Sequence, residues 1–229
     1  MNPTDKEMYL IYSETEEYRE AIDQLHENIS EAFSKYNKPY VAYSGGKDSL
    51  VMSHAVLQDF PGTLIFHWDY GPYYMPRKIE NEVRDIAEEI GAKNFQVDTT
   101  PLYKLKKREA QGILGRVLYG RVMKDMKNRG YDLCLVGLRA QEGCKRRQRV
   151  SRLFEHEILT NCFPVRHMKT RDVWAYIVSN DLPYCSHYDV YGSLEEWENV
   201  RFCTYFDPEF AKFGCSNLDG VLMTQFKNK

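Results

Sequence analysis

The stretch YVAYSGGKDSLVMSHAVLQDF, Tyr40 to Phe60, decides the fold. It opens on a short apolar run, passes two glycines and a lysine, and continues with apolar residues at helical spacing. That is a strand, a tight turn and a helix. Glycines after a strand let backbone N–H groups curl around an anion without side-chain obstruction, and the N-terminus of the following helix adds its dipole. Ser44, Gly45, Gly46, Lys47, Asp48 and Ser49 stand where such a cradle needs them. A glycine turn that binds nothing is the alternative, and it suits an isolated glycine pair better than a full hexapeptide in register between strand and helix. The G-x-x-x-x-G-K-[ST] pattern fails here, because Val41 stands five residues before Gly46 and Asp48 follows the lysine.

Outward from this stretch, strands and helices alternate. Tyr18, Ile22, Leu25, Ile29 and Phe33 predict an amphipathic helix over 16–36. GTLIFHWD (62–69) reads as a second strand, and Ile79, Val83, Ile86 and Ile90 as a helix that Gly91 closes. KNFQVD (93–98) is a third strand. Leu114, Val117, Leu118, Val122 and Met126 mark a helix ended by Gly130, and YDLCLVGL (131–138) is a fourth strand, apolar on both faces like a buried parallel one. NCFPV (161–165) is a candidate fifth, followed by a helix over TRDVWAYIVSND with Thr170 as its N-cap. The pattern predicts an α/β fold: a doubly wound, mainly parallel five-stranded sheet with helices on both faces, and a loop-rich C-terminal appendage. The expected division is an N-terminal helical segment (1–37), a nucleotide-binding domain (38–192) and a C-terminal lid or appendage (193–229).

With 229 residues, 43% hydrophobic and 28% charged, the chain has material for a real core. A net charge of -2 provides no global attraction to nucleic acid, so any basic site is local. No apolar run approaches membrane-span length and the N-terminus lacks a secretory pattern, so a cytoplasmic protein without membrane contact is expected. Six scattered cysteines do not form a disulfide framework.

Ser44-Gly45-Gly46-Lys47-Asp48-Ser49 resembles the pyrophosphate-binding SGGxDS loop of the PP-loop ATP pyrophosphatase (adenine nucleotide alpha hydrolase-like) superfamily. Three further segments resemble its phosphoadenosine phosphosulfate (PAPS) reductase family. HWDYGPYYMP matches through Asp69, Gly71 and Pro76, although Tyr70 replaces the usual Thr. LVGLRAQEGCKRRQR matches through Gly137, Arg139, Glu142 and the Arg146-Arg147 pair. The block from Phe163 to Gly192 matches through Pro164, Asp172-Val173-Trp174, Leu182-Pro183-Tyr184 and Tyr188-Asp189. The chain departs from the thiol-driven reductases, because Cys215 lacks their Glu-Cys-Gly-[Leu/Ile]-His motif, and it has no adjacent cysteines as the iron–sulfur branch does.

This resemblance implies an enzyme that cleaves ATP to AMP and pyrophosphate to adenylate an acceptor, closest in kind to the sulfur-transfer members of DNA phosphorothioation and RNA thiolation. A sulfonucleotide reductase, or a partner-dependent protein like sulfate adenylyltransferase small subunits, remains the alternative. It implies that residues 44–49 hold the β and γ phosphates, that Lys47, Asp48, Arg139, Arg146 and Arg147 carry the chemistry, and that Phe66, His67, Asp69 and Gly137 complete the nucleotide site. Asp48 and Asp69 are candidate Mg²⁺ ligands, against the alternatives of a helix-start carboxylate and a turn residue. Cys185, Cys203 and Cys215 offer three thiolates to an Fe–S cluster, but without a C-x-x-C, cysteines that bind no cluster are favoured. The partners implied are ATP, a sulfur donor or cysteine desulfurase with other pathway proteins, DNA or tRNA as acceptor, and a second copy in a homodimer. The basic runs YKLKKRE (103–109) and CKRRQRVSR (144–152) could meet a nucleic-acid backbone, though such runs are more often solvated helix faces. His67, His167 and His187 show no metal-ligand spacing and read as structural or substrate-contacting.

Overall fold

The computed structural model describes residues 1–69, 77–99 and 118–189, together with Gly192 and Trp197. Chain order gives α1 (Pro3–Ser13), α2 (Glu16–Lys35), β1 (Pro39–Tyr43), α3 (Lys47–Asp59), β2 (Leu64–Asp69), α4 (Arg77–Glu89) and β3 (Phe95–Thr99). There follow α5 (Leu118–Asn128), β4 (Leu133–Val136), a 3-10 turn (Ala140–Glu142), α6 (Cys144–Arg149), β5 (Phe154–His156), β6 (Thr160–Cys162) and α7 (Thr170–Ser179).

The strands form one six-stranded sheet in the order β3-β2-β1-β4-β6-β5. The five predicted strands are parallel; the sixth, β5, pairs antiparallel with β6 at the edge. The expectation of five strands is corrected here, since the three residues Phe-Glu-His of β5 are too short and polar to announce a strand. The fifth strand is also shorter than expected and ends at Cys162. From β1 the chain winds to β2 and β3 on one side, while β4 and β6 lie on the other. The switch point therefore falls between β1 and β4, and in an open α/β sheet the crevice beyond those carboxyl ends is where ligands bind.

Two apolar clusters cover the two faces. On one face, Val41, Ile65, Leu133 and Leu135 pack with Leu25, Ile29 and Ala32 of α2, with α3, with Val83 and Ile86 of α4, and with α7. On the other, Tyr40, Leu64, Phe66 and Cys134 meet Met123 and Met126 of α5. The alternation of Tyr40 and Val41, or Leu64 and Ile65, between these clusters is the period-two rule at work. Helix α3 is buried almost all round, from Leu50 to Leu57, and so sits at the centre. No helix among the described residues is long and apolar enough to cross a membrane.

The N-terminal helices belong to the same core, through Tyr9, Tyr18 and Leu25. Asn2 caps α1 by accepting from the Asp5 N–H, and Pro3 occupies the position that needs no donor. Helix α1 reaches α7 through the Tyr12 hydroxyl, which donates to Asp172 at 2.6 Å. The expected N-cap of α7 shifts by one residue: Lys169 is the cap, and its N–H is held by the Asp172 carboxylate at 2.6 Å. Of the expected appendage, only Trp197 lies among the described residues.

Trp174 of α7 is fully buried and meets Tyr184, Tyr188 and Trp197 edge-on, with ring centroids 5.3, 5.2 and 4.9 Å away. Its indole N–H donates to the Trp197 carbonyl at 2.9 Å. Trp174→Ala is expected to cost about 3–5 kcal/mol in urea unfolding, as other large aromatic truncations do; a loss below about 1 kcal/mol would show that this cluster is not part of the cooperative core.

Candidate active site at the β1 and β4 carboxyl ends

The loop after β1 is fixed by its own serines. The Ser44 N–H donates to Ser49 Oγ at 3.2 Å, the two hydroxyls lie 3.0 Å apart, and Ser49 Oγ donates to the Gly46 carbonyl at 2.9 Å. Ser44 Oγ in turn accepts from the Gly46 N–H at 3.3 Å. Gly45 is required twice over: its φ is +79°, and a Cβ there would stand 2.3 Å from Val83 Cγ2 of α4. Gly137, just past β4, answers a different demand. A Cβ on it would lie 2.9 Å from the Ser49 backbone nitrogen, so only glycine lets the end of β4 approach the first turn of α3 this closely.

Into this cradle come two buried cations, Lys47 and Arg139, each 2% exposed. Arg139 Nε donates to Asp48 Oδ1 at 2.7 Å, and Lys47 Nζ lies 3.8 Å from Asp48 Oδ2. Burial opposes ionisation of Asp48 and is the largest single influence on it, but the charges of Arg139 and Lys47 together outweigh it and hold the carboxyl below its usual range. The other side of Arg139 donates to the Met168 carbonyl and to Thr170 Oγ1, at 3.3 and 3.2 Å. Glu142 accepts the Arg139 backbone N–H at 3.0 Å and pairs with the buried Arg146 at 2.5 Å. The structure thus brings Lys47, Asp48, Arg139 and, one ion pair further out, Arg146 together. Arg147 is exposed on α6.

The residues expected from the second strand divide differently. Phe66 is buried on the α5 face of the sheet. His67 Nδ1 donates to the Tyr43 carbonyl at 2.9 Å, and its Nε2 meets Glu80 Oε2 at 3.1 Å. Glu80 continues through Arg84 to Asp69, whose two oxygens are held by the Arg77 fork at 2.8 Å each. Asp69 is thus clamped by two arginines of α4, while Asp48 pairs with Arg139 and Lys47. Among the described residues no group of three or more His, Cys, Asp or Glu is arranged to hold a metal ion. Cys185 is buried and donates to the Gly45 carbonyl at 3.6 Å. Cys203, Cys215 and the basic run 103–109 lie outside the described residues.

Sequence reasoning named Cys185, His187 and Tyr188 but missed their contact with the loop. Residues 185–188 run across the loop: the Ser186 N–H and hydroxyl both donate to Glu82, at 2.8 and 2.7 Å, and the Tyr188 hydroxyl accepts from the Lys47 N–H at 3.0 Å. No local pattern betrays contacts between residues 104 and 141 positions apart. His187 beside them is 3% exposed. Burial, reinforced by the Lys47 charge, pushes its imidazole down to about 3.

The unfolded chain binds a proton at His187 below about pH 6.5 while the folded chain does not, so this group contributes stability at neutral pH that is lost as pH falls from about 6.5 toward 3. Between about pH 7.5 and 5, His187→Gln is expected to lose roughly 2 kcal/mol less stability than the parent in urea unfolding, at about 1.4 kcal/mol per pH unit. Equal losses would place His187 in contact with water.

The comparisons with known proteins agree with this architecture. A family model described as the phosphoadenosine phosphosulfate reductase domain matches residues 38–219. The crystal structure of phosphoadenylyl-sulfate (PAPS) reductase from Candida auris, in a phosphate complex, resembles the fold with a TM-score of 0.52 at 16% identity, over 72% of this chain and 84% of that one. No curated protein matches the chain. The match to the family model takes in the loop after β1, the arginine turn after β4 and the strap over them, and on that extent the chain belongs to the phosphoadenosine phosphosulfate reductase domain family.

Proposed function

We propose that the chain is an ATP pyrophosphatase that releases pyrophosphate from ATP and transfers the AMP to an acceptor, as a step in sulfur incorporation into nucleic acid. The observation that carries this reading is the pair of buried cations, Lys47 and Arg139, sharing the Asp48 carboxylate beside the start of α3. Charge buried in this way favours an anionic ligand, and the N–H groups at the helix start add donors in fixed positions. In the Candida auris relative, phosphate is the molecule bound.

In the proposed reaction an acceptor oxygen forms a bond to the α-phosphorus, the bond to the α,β-bridging oxygen breaks, and pyrophosphate leaves with the electron pair. Negative charge grows on the departing pyrophosphate. Lys47 and the loop N–H groups would meet that charge, so their work is positioning and electrostatic stabilisation. Mg²⁺ would supply further positive charge on the phosphates. Such an ion takes one or two carboxylates plus phosphate oxygens; Asp69 gives both oxygens to Arg77, and Asp48 gives Oδ1 to Arg139 with Oδ2 3.8 Å from Lys47 Nζ, so phosphate oxygens would supply most of its ligands.

A sulfonucleotide reductase needs an ionisable thiol near the nucleotide. Burial raises the thiols of Cys134, Cys162 and Cys185, to about 12 for Cys134, and these three are poor nucleophiles. Cys144 is exposed, so what favours ATP cleavage, with sulfur supplied by a donor such as a desulfurase, is the sequence around Cys215, which lacks the Glu-Cys-Gly-[Leu/Ile]-His motif.

Incubation of the full chain with Mg²⁺ and α-labelled ATP under anaerobic conditions is expected to yield AMP and pyrophosphate, with DNA and tRNA as the first acceptors to add. Lys47→Ala is expected to lower turnover by roughly a hundredfold or more, the scale for removing one stabilising donor or cation, with unchanged far-UV circular dichroism. Turnover unchanged in that variant would remove Lys47 from the site. Tight binding of PAPS without ATP cleavage would replace this reading with that of a reductase.

A further inference from the structure

The strap across the loop engages both anion-binding groups of one residue. Lys47 is the first residue of α3, and its N–H is among those with no intrahelical acceptor. Gly46, the N-cap, has no side chain to satisfy these donors. The acceptor comes instead from the strap: the Tyr188 hydroxyl, 3.0 Å from the Lys47 nitrogen. The Lys47 ammonium also lies over the Tyr188 ring, 5.8 Å from its centroid. Tyr188 is 1% exposed, packed edge-on against Trp174, and its own N–H bonds to the Cys185 carbonyl at 3.0 Å, so the fold presents its hydroxyl to the Lys47 N–H.

We propose that Tyr188 is a stand-in for phosphate: its hydroxyl occupies, on the Lys47 N–H, the acceptor position that a polyphosphate oxygen takes, and nucleotide binding displaces it. The inference rests on the reading of residues 44–49 as a phosphate loop. A neutral phenol oxygen is the weaker acceptor of the two, since hydrogen bonds to an ionised oxygen are roughly twice as strong. The exchange therefore runs toward phosphate, at the cost of the bond that Tyr188 gives up. The purpose is legible in the geometry. A buried helix start flanked by two cations and lacking a side-chain cap is costly without an acceptor, and the Tyr188 oxygen satisfies it without adding a charge. Cys185 and Ser186 anchor the same strap to Gly45 and Glu82, so the displaced hydroxyl belongs to an element already in contact with the loop and with α4.

Titration calorimetry of the full chain with pyrophosphate, ATP and adenosine separates the outcomes. Tyr188→Phe keeps the ring and removes only the competing oxygen. It is expected to bind pyrophosphate and ATP about 2- to 10-fold more tightly than the parent, the worth of one hydrogen bond, with adenosine unchanged. A merely structural tyrosine cannot give that sign, because a loosened loop binds more weakly. Tyr188→Leu, which also removes the ring from beneath the ammonium, should shift affinity in the same direction. Weaker binding in Tyr188→Phe would overturn the proposal and make the hydroxyl a donor to the anion; equal binding would overturn it as well. Should the parent chain itself bind neither pyrophosphate nor ATP, the phosphate-loop reading fails, and this inference with it.

Discussion

The buried pair of Asp48 and Arg139 ties together the chain segments that emerge at the switch point of the sheet. Asp48 belongs to the first turn of α3, and Arg139 to the turn after β4, 91 positions away in sequence. Through its remaining donors Arg139 also reaches the Met168 carbonyl and Thr170 at the start of α7. One guanidinium thus sets the relative positions of two helix starts and a strand end. A buried ion pair is about neutral in stability against an apolar pair of similar volume, so such a pair is better explained by what it positions than by what it stabilises. Here it positions a carboxylate and two cations around the loop.

Steric constraint completes what charge begins. Val83 of α4 closes on Gly45 from one side, and Gly137 lets β4 close on Ser49 from the other. At these two positions no side chain fits, and the backbone itself lines the turn. Ser44 and Ser49 then lock the turn by hydrogen bonds to each other and to the loop backbone. The result is a cradle organised before any ligand arrives, which is the condition under which fixed dipoles stabilise developing charge most strongly.

Much of this was legible in the sequence, and the rest was hidden for identifiable reasons. Parallel strands buried on both faces read as apolar runs, so β1, β2 and β4 were visible, and Gly91 and Gly130 marked helix ends where the chain does turn left-handed, each at a φ of 83°. Gly45 and Gly46 announced the loop. Strand β5 escaped because its three residues, Phe-Glu-His, are too few to show a period. Thr170 looked like a cap because hydroxyls favour that position, yet its oxygen is taken up by Arg139 and Gln141, and Asp172 does the capping. Asp69 and Asp48 were alike as carboxylates after strands. Only the fold distinguishes the one clamped by Arg77 and Arg84 of α4 from the one held by Arg139 and Lys47 beside the loop. Tyr188 and His187 belong to contacts made at long range, for which a single sequence carries no period and no spacing.

Lys47 explains why the surroundings of the loop are charged as they are. Burial is the largest influence on both neighbours, opposing the charge on Asp48 and on His187; Arg139 and then Lys47 hold Asp48 as an anion, and Lys47 adds to the burial that keeps His187 neutral. Both effects act in one sense: the Lys47 charge disfavours a proton on either neighbour. Tyr188 meets that charge with a neutral oxygen and a ring face, both of which accept from a cation or an N–H without carrying charge. A second carboxylate in its place would neutralise Lys47 and leave the cradle with little attraction for phosphate. A neutral acceptor satisfies the helix start and leaves the positive charge of Lys47 in place.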